Sequence, residues 1–218
     1  SGTNKTLTPK NNARGSSFTP YGTGWSNYFD GSGDRLVIGA DTSLDLTSDF
    51  TIEFWANFNT FNSYNVIFDT SLNGSAGSNM TEFWVRSDGM VEYYAQGSIL
   101  LSSASNAIQL NEWSHIALVK NGLAQAIYVN GVSVASVTSS TDPNTGYNWY
   151  IGDRVSGAAS GQYPMSGYIS NFRIVKGTAL YTSNFTPSTT PLTAVSGTSL
   201  LICNSNRFVD NSSNAHSI

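Results

Sequence analysis

Apolar and polar positions alternate most regularly between Trp113 and Val137, and that stretch organises the reading of the chain. Trp113, His115, Ala117 and Val119 interleave with Ser114, Ile116, Leu118 and Lys120, the period-two pattern of a β-strand. Asn121-Gly122 and Asn130-Gly131 then divide the stretch into three runs. Such pairs mark tight hairpins because primed turns need φ > 0, which Asn and Gly tolerate. The spacing predicts a three-stranded antiparallel meander. Phe50, Ile52, Phe54, Ala56 and Phe58 similarly alternate with Thr51, Glu53, Trp55 and Asn57, predicting a strand with one apolar side. Further strands are expected at 27–29, 35–38, 64–71, 80–87, 90–96, 99–103, 149–155, 165–175 and 200–203. A single helical turn is the most that residues 181–185 can support. Short strands separated by turn residues predict an all-β chain, a two-sheet antiparallel β-sandwich. Residues 1–24, rich in Thr, Asn, Gly, Ser and Pro, read as an extended N-terminal arm or linker, leaving 25–218 as the domain.

Composition narrows the function. The 218 residues suit one large β domain, and only 11% of them are charged. A net charge of −4 argues against nucleic acid as a partner, which demands a basic footprint. No apolar run approaches the ~18 residues that insertion into a membrane requires. A surface of hydroxyls and amides fits an extracellular or virion protein. The lone cysteine, Cys203, sits in an apolar run and reads as a small core residue.

Catalytic chemistry has little to stand on in the sequence. Glu53, Glu82 and Glu92 each stand alone on their strands, whereas a glycosidase needs two carboxylates flanking one bond. His115 and His216 are the only histidines, and His115 reads as a structural residue satisfied by a neighbouring backbone group. Two histidines and a distant cysteine make no zinc site. The expectation is therefore that the chain is not an enzyme.

Three segments together resemble the laminin-G-like family of concanavalin A-like jelly rolls. They are YFDGSGDRLVI with DFTIEFWANF, EWSHIALVKNG with AIYVNGV, and IGD with GYISNFRIVKGTALY, spanning about residues 25 to 185. The tail from Phe172 onward also resembles the ends of laminin-G-like units in phage structural and tail-fibre proteins. The resemblance implies a concanavalin A-like jelly roll acting as a non-catalytic adhesion or carbohydrate-binding module at a virion surface or outside the cell. The partner is then a host-surface glycan or a neighbouring virion subunit, and a homo-oligomer is compatible with it. The alternative is a structural spacer without a glycan.

The family often carries a rim calcium. Asp30, Asp34, Asp142 and Asp153 are the candidate ligands, since hard cations take carboxylate oxygens. Ser170 and Asn171 stand where many relatives have acidic residues. For glycans, Tyr147, Asn148, Trp149, Tyr150 and Tyr163 supply stacking rings and an amide near the sandwich edge. Phe61, Asn62 and Tyr64 form a second cluster.

Overall fold

The computed structural model describes residues 14–71, 80–156, 159–160 and 162–218. Residues 1–13 of the predicted arm and the predicted loop 72–79 lie outside the described residues. The architecture is the expected all-β sandwich of two antiparallel sheets. The strands in chain order are β1 (Arg14–Ser16), β2 (Ser26–Asp30), β3 (Leu36–Ile38), β4 (Phe50–Phe58), β5 (Tyr64–Ser71), β6 (Met80–Arg86), β7 (Val91–Ala95) and β8 (Ser98–Ser102). They continue as β9 (Ser114–Asn121), β10 (Ala124–Val129), β11 (Val132–Thr138), β12 (Trp149–Ile151), β13 (Val155–Ser156), β14 (Ala159–Ser160), β15 (Ser166–Lys176) and β16 (Thr198–Ile202). The larger sheet runs β1-β2-β15-β4-β9-β10-β11, with β16 also on β15; the smaller runs β3-β12-β5-β6-β7-β8. β13 and β14 form a separate ribbon. Among the described residues no helix is long and apolar enough to cross a membrane.

Alternation builds the core. Phe50, Ile52, Phe54, Ala56 and Phe58 of β4, with Phe172 of β15, share one core with Phe68, Phe83, Val85, Val91, Tyr93 and Trp149 of the smaller sheet. Each of the larger apolar side chains contributes roughly 1.5–3 kcal/mol by leaving water. Phe54 and Phe172 stack at 5.5 Å, and Phe68 and Phe83 at 5.5 Å. Cys203 is buried in the same core, and burial pushes its thiol pKa up.

The meander forms as predicted, with one turn displaced. Asn130 and Gly131 both take positive φ, 50° and 79°, as a two-residue primed turn requires. The first turn instead centres on Gly122 and Leu123, because Asn121 pairs with Ala124. Gly122 alone has φ of 59° there, so one glycine at the first central position suffices.

The outer face of the larger sheet departs from expectation. Thr51, Glu53 and Asn57, the polar side of a strand expected to be half-buried, are all buried. Chain segments flanking the sandwich cover them. From the N-terminal side, Phe18 packs on Trp113 at 5.3 Å and on Tyr168 at 4.9 Å, and Tyr21 meets Trp55 edge-on. From the C-terminal side, Tyr181 and Phe185 stack on each other at 3.5 Å and pack against Ala117, Val119 and Tyr128. Residues 181–185 form no helical turn. The segment instead runs irregularly over the sheet, anchored where Phe185 N donates to Gly131 O at 2.9 Å.

Candidate functional site

Parity on three neighbouring strands creates a cleft on the outer face of the smaller sheet. Phe83 and Val85 point into the core, so Met80, Glu82 and Trp84 of β6 point out. Val91, Tyr93 and Ala95 point in, so Glu92 and Tyr94 of β7 point out. On β5, Tyr64 and Val66 pair with Arg86 and Trp84 and share their outer face, and a bulge between Val66 and Phe68 then turns Phe68 inward and Asp69 outward, opposite Glu82. Tyr163 and Arg154 complete one wall of a cleft of about 320 Å³. Val66 N donates to Tyr163 O at 3.0 Å, fixing that wall to β5.

Four aromatic rings line this cleft: Tyr64, Trp84, Tyr94 and Tyr163. Tyr64 meets Trp84 edge-on at 5.5 Å and Tyr163 at 5.1 Å. Two arginines are held against rings, Arg86 over Tyr64 at 5.4 Å and Arg154 over Tyr163 at 5.5 Å. Trp84 Nε1 donates to Glu92 Oε2 at 2.6 Å, which locks the indole plane. Arg86 reaches Glu92 from the rim at 3.6 Å.

The electrostatic centre of the cleft is Glu82. It lies directly opposite Asp69 across the β5–β6 pair and is nearly fully buried. Burial first, and the Asp69 charge second, push its carboxyl pKa up to about 8. Arg154 Nε, 3.1 Å from Glu82 Oε1, acts the other way and is outweighed. Glu82 is thus largely protonated at neutral pH and can donate a hydrogen bond as well as accept one. The three carboxylates Asp69, Glu82 and Glu92 each look solitary along the sequence, but sheet pairing gathers them on one face.

Of the glycan-binding candidates, Tyr163 lines the cleft, as does Tyr64 of the second cluster. Trp149 is 2% exposed and packs at 5.2 Å from Phe68 inside the core, because it shares parity with Ile151. Tyr150 faces outward opposite Asp69 but is mostly buried. Tyr147 is half-buried, and Asn148 Oδ1 accepts from Ala40 N at 2.9 Å, tying two loops together. Asn62 Nδ2 donates to Pro164 O at 3.1 Å, and Phe61 packs on Phe58. Among the lining residues, sequence reasoning passed over Trp84, Tyr94 and Arg154 and took Glu82 only as a solitary carboxylate.

The four calcium candidates do not assemble into one site. Asp30 Oδ1 accepts from Ser32 N at 2.8 Å and Asp34 Oδ2 from Asp30 N at 3.0 Å, ordinary turn chemistry. Asp153 is buried, accepts from Arg154 N at 2.8 Å and lies 3.9 Å from Arg35 Nη1. Asp142 is held by the amine of Lys120. Among the described residues no group of three or more His, Cys, Asp or Glu is placed to hold a metal.

A second buried polar cluster lies under the C-terminal segment, on the outer face of the larger sheet. Glu53 Oε1 accepts from Arg173 Nε at 2.9 Å and from Nη2 at 2.5 Å. Its Oε2 accepts from Tyr181 Oη at 2.8 Å and lies 3.1 Å from His115 Nε2. Burial raises the Glu53 pKa, but the His115 hydrogen bond and the Arg173 charge outweigh it, so the carboxyl is held below its ordinary value. An ionised carboxylate can only accept, so His115 carries its proton on Nε2. The expected backbone partner for the His115 ring is thus replaced by a carboxylate. Arg173 Nη1 also donates to Thr193 O at 2.6 Å. The cluster pins the tail to the sheet and is closed over by it.

Comparison with known proteins places this fold in a class. A family model described as concanavalin A-like lectin/glucanases superfamily, of the laminin-G type, matches residues 30–181. The chain belongs to that family. No curated protein sequence matches it. Among solved structures, it is similar to domain 4 of AbnA, an extracellular arabinanase from Geobacillus stearothermophilus, in complex with arabinotriose. The identity is 19% and the TM-score 0.56, covering 78% of this chain and 77% of that one. It is similar to the Ruminococcus gnavus IT-sialidase CBM40 bound to α2,3 sialyllactose, at 14% identity and TM-score 0.57, covering 72% and 91%. It is also similar to a heptameric pentraxin from Limulus polyphemus, at 21% identity and TM-score 0.54, covering 71% and 76%. At these identities the likeness is one of fold.

Proposed function

We propose that the chain is a non-catalytic carbohydrate-binding module whose ligand lies on the outer face of the smaller sheet. The observation that carries this reading is the convergence of four aromatic rings with Glu82 and Arg154 in one cleft. Rings offer faces to the C–H side of a pyranose, and the carboxyl and guanidinium fix hydroxyl orientation. Two of the structures of similar fold are described as holding a saccharide, arabinotriose and sialyllactose, which supports the class of ligand. The weakly charged, hydroxyl-rich composition and the tail's resemblance to phage structural units support a setting at a virion surface or outside the cell, with a host-surface glycan as partner. The alternative, a structural subunit, draws on β11, an edge strand with Val132 half exposed.

A glycan array followed by calorimetric titration tests the site. Wild-type protein binds at least one saccharide, and Tyr163→Ala weakens it at least tenfold while the melting temperature stays within a few degrees. Unchanged affinity in both Tyr163→Ala and Tyr94→Ala removes the ligand from this cleft. No saccharide binding together with self-association by light scattering favours the structural subunit.

A further inference from the structure

Lys120 sits on the core-facing row of β9, in phase with Ile116 and Leu118, at one end of the sandwich. It is 6% exposed. Its Nζ meets Oδ1 of Asp142, in the connection from β11 of the larger sheet to β12 of the smaller. That connection is clamped on both sides. Gln125, opposite Lys120 on β10, donates through Nε2 to Ser139 O at 3.2 Å and Thr141 O at 2.7 Å. Gln96 Nε2 donates to Asp142 O at 3.0 Å, and Asn144 N donates to Thr81 Oγ1 at 2.9 Å. Tyr93 projects toward the same end from β7, fully buried, with no partner for its hydroxyl. Burial pushes that hydroxyl pKa up, and the charge of Asp142 adds to it.

Amine and carboxyl thus meet at the end of the core, the Lys120 side chain 7% and the Asp142 side chain 28% exposed, held by neighbours that leave them little freedom, with the Tyr93 hydroxyl within electrostatic reach of Asp142. The buried ammonium of Lys120 carries a desolvation cost that a neutral bond would abolish. Fixed juxtaposition also supplies the effective concentration that an uncatalysed acyl transfer lacks.

We propose that Lys120 and Asp142 become joined by an amide between Nζ and Cγ, a self-formed cross-link between the larger sheet and the connection that leads to the smaller. The ammonium proton passes to the carboxylate, leaving a neutral amine and a carboxylic acid. Nζ attacks Cγ, and the Tyr93 hydroxyl donates to the oxygen that gains charge. The C–O bond then breaks, and hydroxide leaves with the amine proton as water. One C–N bond forms, one C–O bond breaks and one water is released; no oxidant or cofactor takes part.

Intact-mass spectrometry of the full chain under denaturing conditions tests this directly. The folded wild type is expected to weigh less than its sequence by one water. Digestion should yield a branched peptide joining the segments around Lys120 and Asp142, with trypsin failing to cut at Lys120. Lys120→Arg should have the full sequence mass. Asp142→Asn should lose one ammonia in place of water, since the same attack expels a different leaving group. Water lost at the Asp30-Gly31 or Asp88-Gly89 steps as a succinimide would return in mild base, whereas the amide persists. A wild type that is folded by circular dichroism yet has its full sequence mass overturns the proposal, as does a water loss mapped to any other pair.

Discussion

Glu82→Gln is the most informative single change, because it removes an ionisation and leaves shape and hydrogen bonding nearly intact. The Glu82 carboxyl, ordinarily near 4.5, is raised to about 8 in the folded chain. Between those pH values the folded state holds a proton that the unfolded state has released, so stability falls as pH rises. The contribution is fully present below about pH 4.5 and gone above about pH 8. Each pH step in that window is worth about 1.4 kcal/mol for one proton, giving a ceiling of about 5 kcal/mol. Water reaching the cleft and local relaxation around the carboxylate lower this to roughly 2–3 kcal/mol. For a chain of this size about 1 kcal/mol moves the melting temperature by roughly 2–4 °C. Calorimetric melts from pH 5 to pH 8.5 should therefore show the wild type losing about 5–10 °C more than Glu82→Gln across the window. The neutral amide mimics the protonated acid, so the two proteins should agree at pH 5 and diverge as pH rises. Parallel melting curves for the two would refute the assignment of a high pKa to Glu82, and with it the view that burial and Asp69 dominate Arg154.

Two further changes probe the tail and its anchor. Tyr181→Phe removes one hydrogen bond to a buried carboxylate and should cost about 1.5–3 kcal/mol in denaturant melts. Glu53→Gln leaves Arg173 without its counter-charge and should cost more, about 3–5 kcal/mol. Equal losses in the two would mean that Tyr181, not Arg173, dominates the cluster. At Gly131, with φ of 79°, an added Cβ would lie 1.8 Å from Phe185 O, whereas one at Gly122 meets nothing within 4 Å. Gly131→Ala should therefore destabilise by roughly 2 kcal/mol or more and hasten proteolysis between 178 and 193, while Gly122→Ala costs about 1 kcal/mol through its φ alone. Equal proteolysis of the two variants would contradict the docking of the tail on the second turn.

The fold was legible because period two survives in one-dimensional text. The apolar side of β4 and the Asn130-Gly131 turn could be read residue by residue. The cleft was not, because its parts lie on different strands and only register brings them together. Glu82 looks solitary until β5 pairs with β6 and sets Asp69 opposite it. Trp149 invited a surface reading because it follows a polar loop, yet strand parity turns it inward. The second burial of β4 also escaped the pattern. Residues 178–193 are irregular and carry no period, so nothing local says that they will lie over Glu53.

The Glu53 cluster bears on the order in which the chain closes. Its partners reach it from 62, 120 and 128 positions further along the sequence. A carboxylate that must recruit β9, β15 and the tail before it is satisfied gives little to any half-built sandwich, where it would still face water. The cluster works as a latch that engages only after the large sheet is assembled. Its energy should then appear almost wholly in the unfolding rate, and the Tyr181 and Glu53 variants should fold at nearly wild-type speed yet open faster.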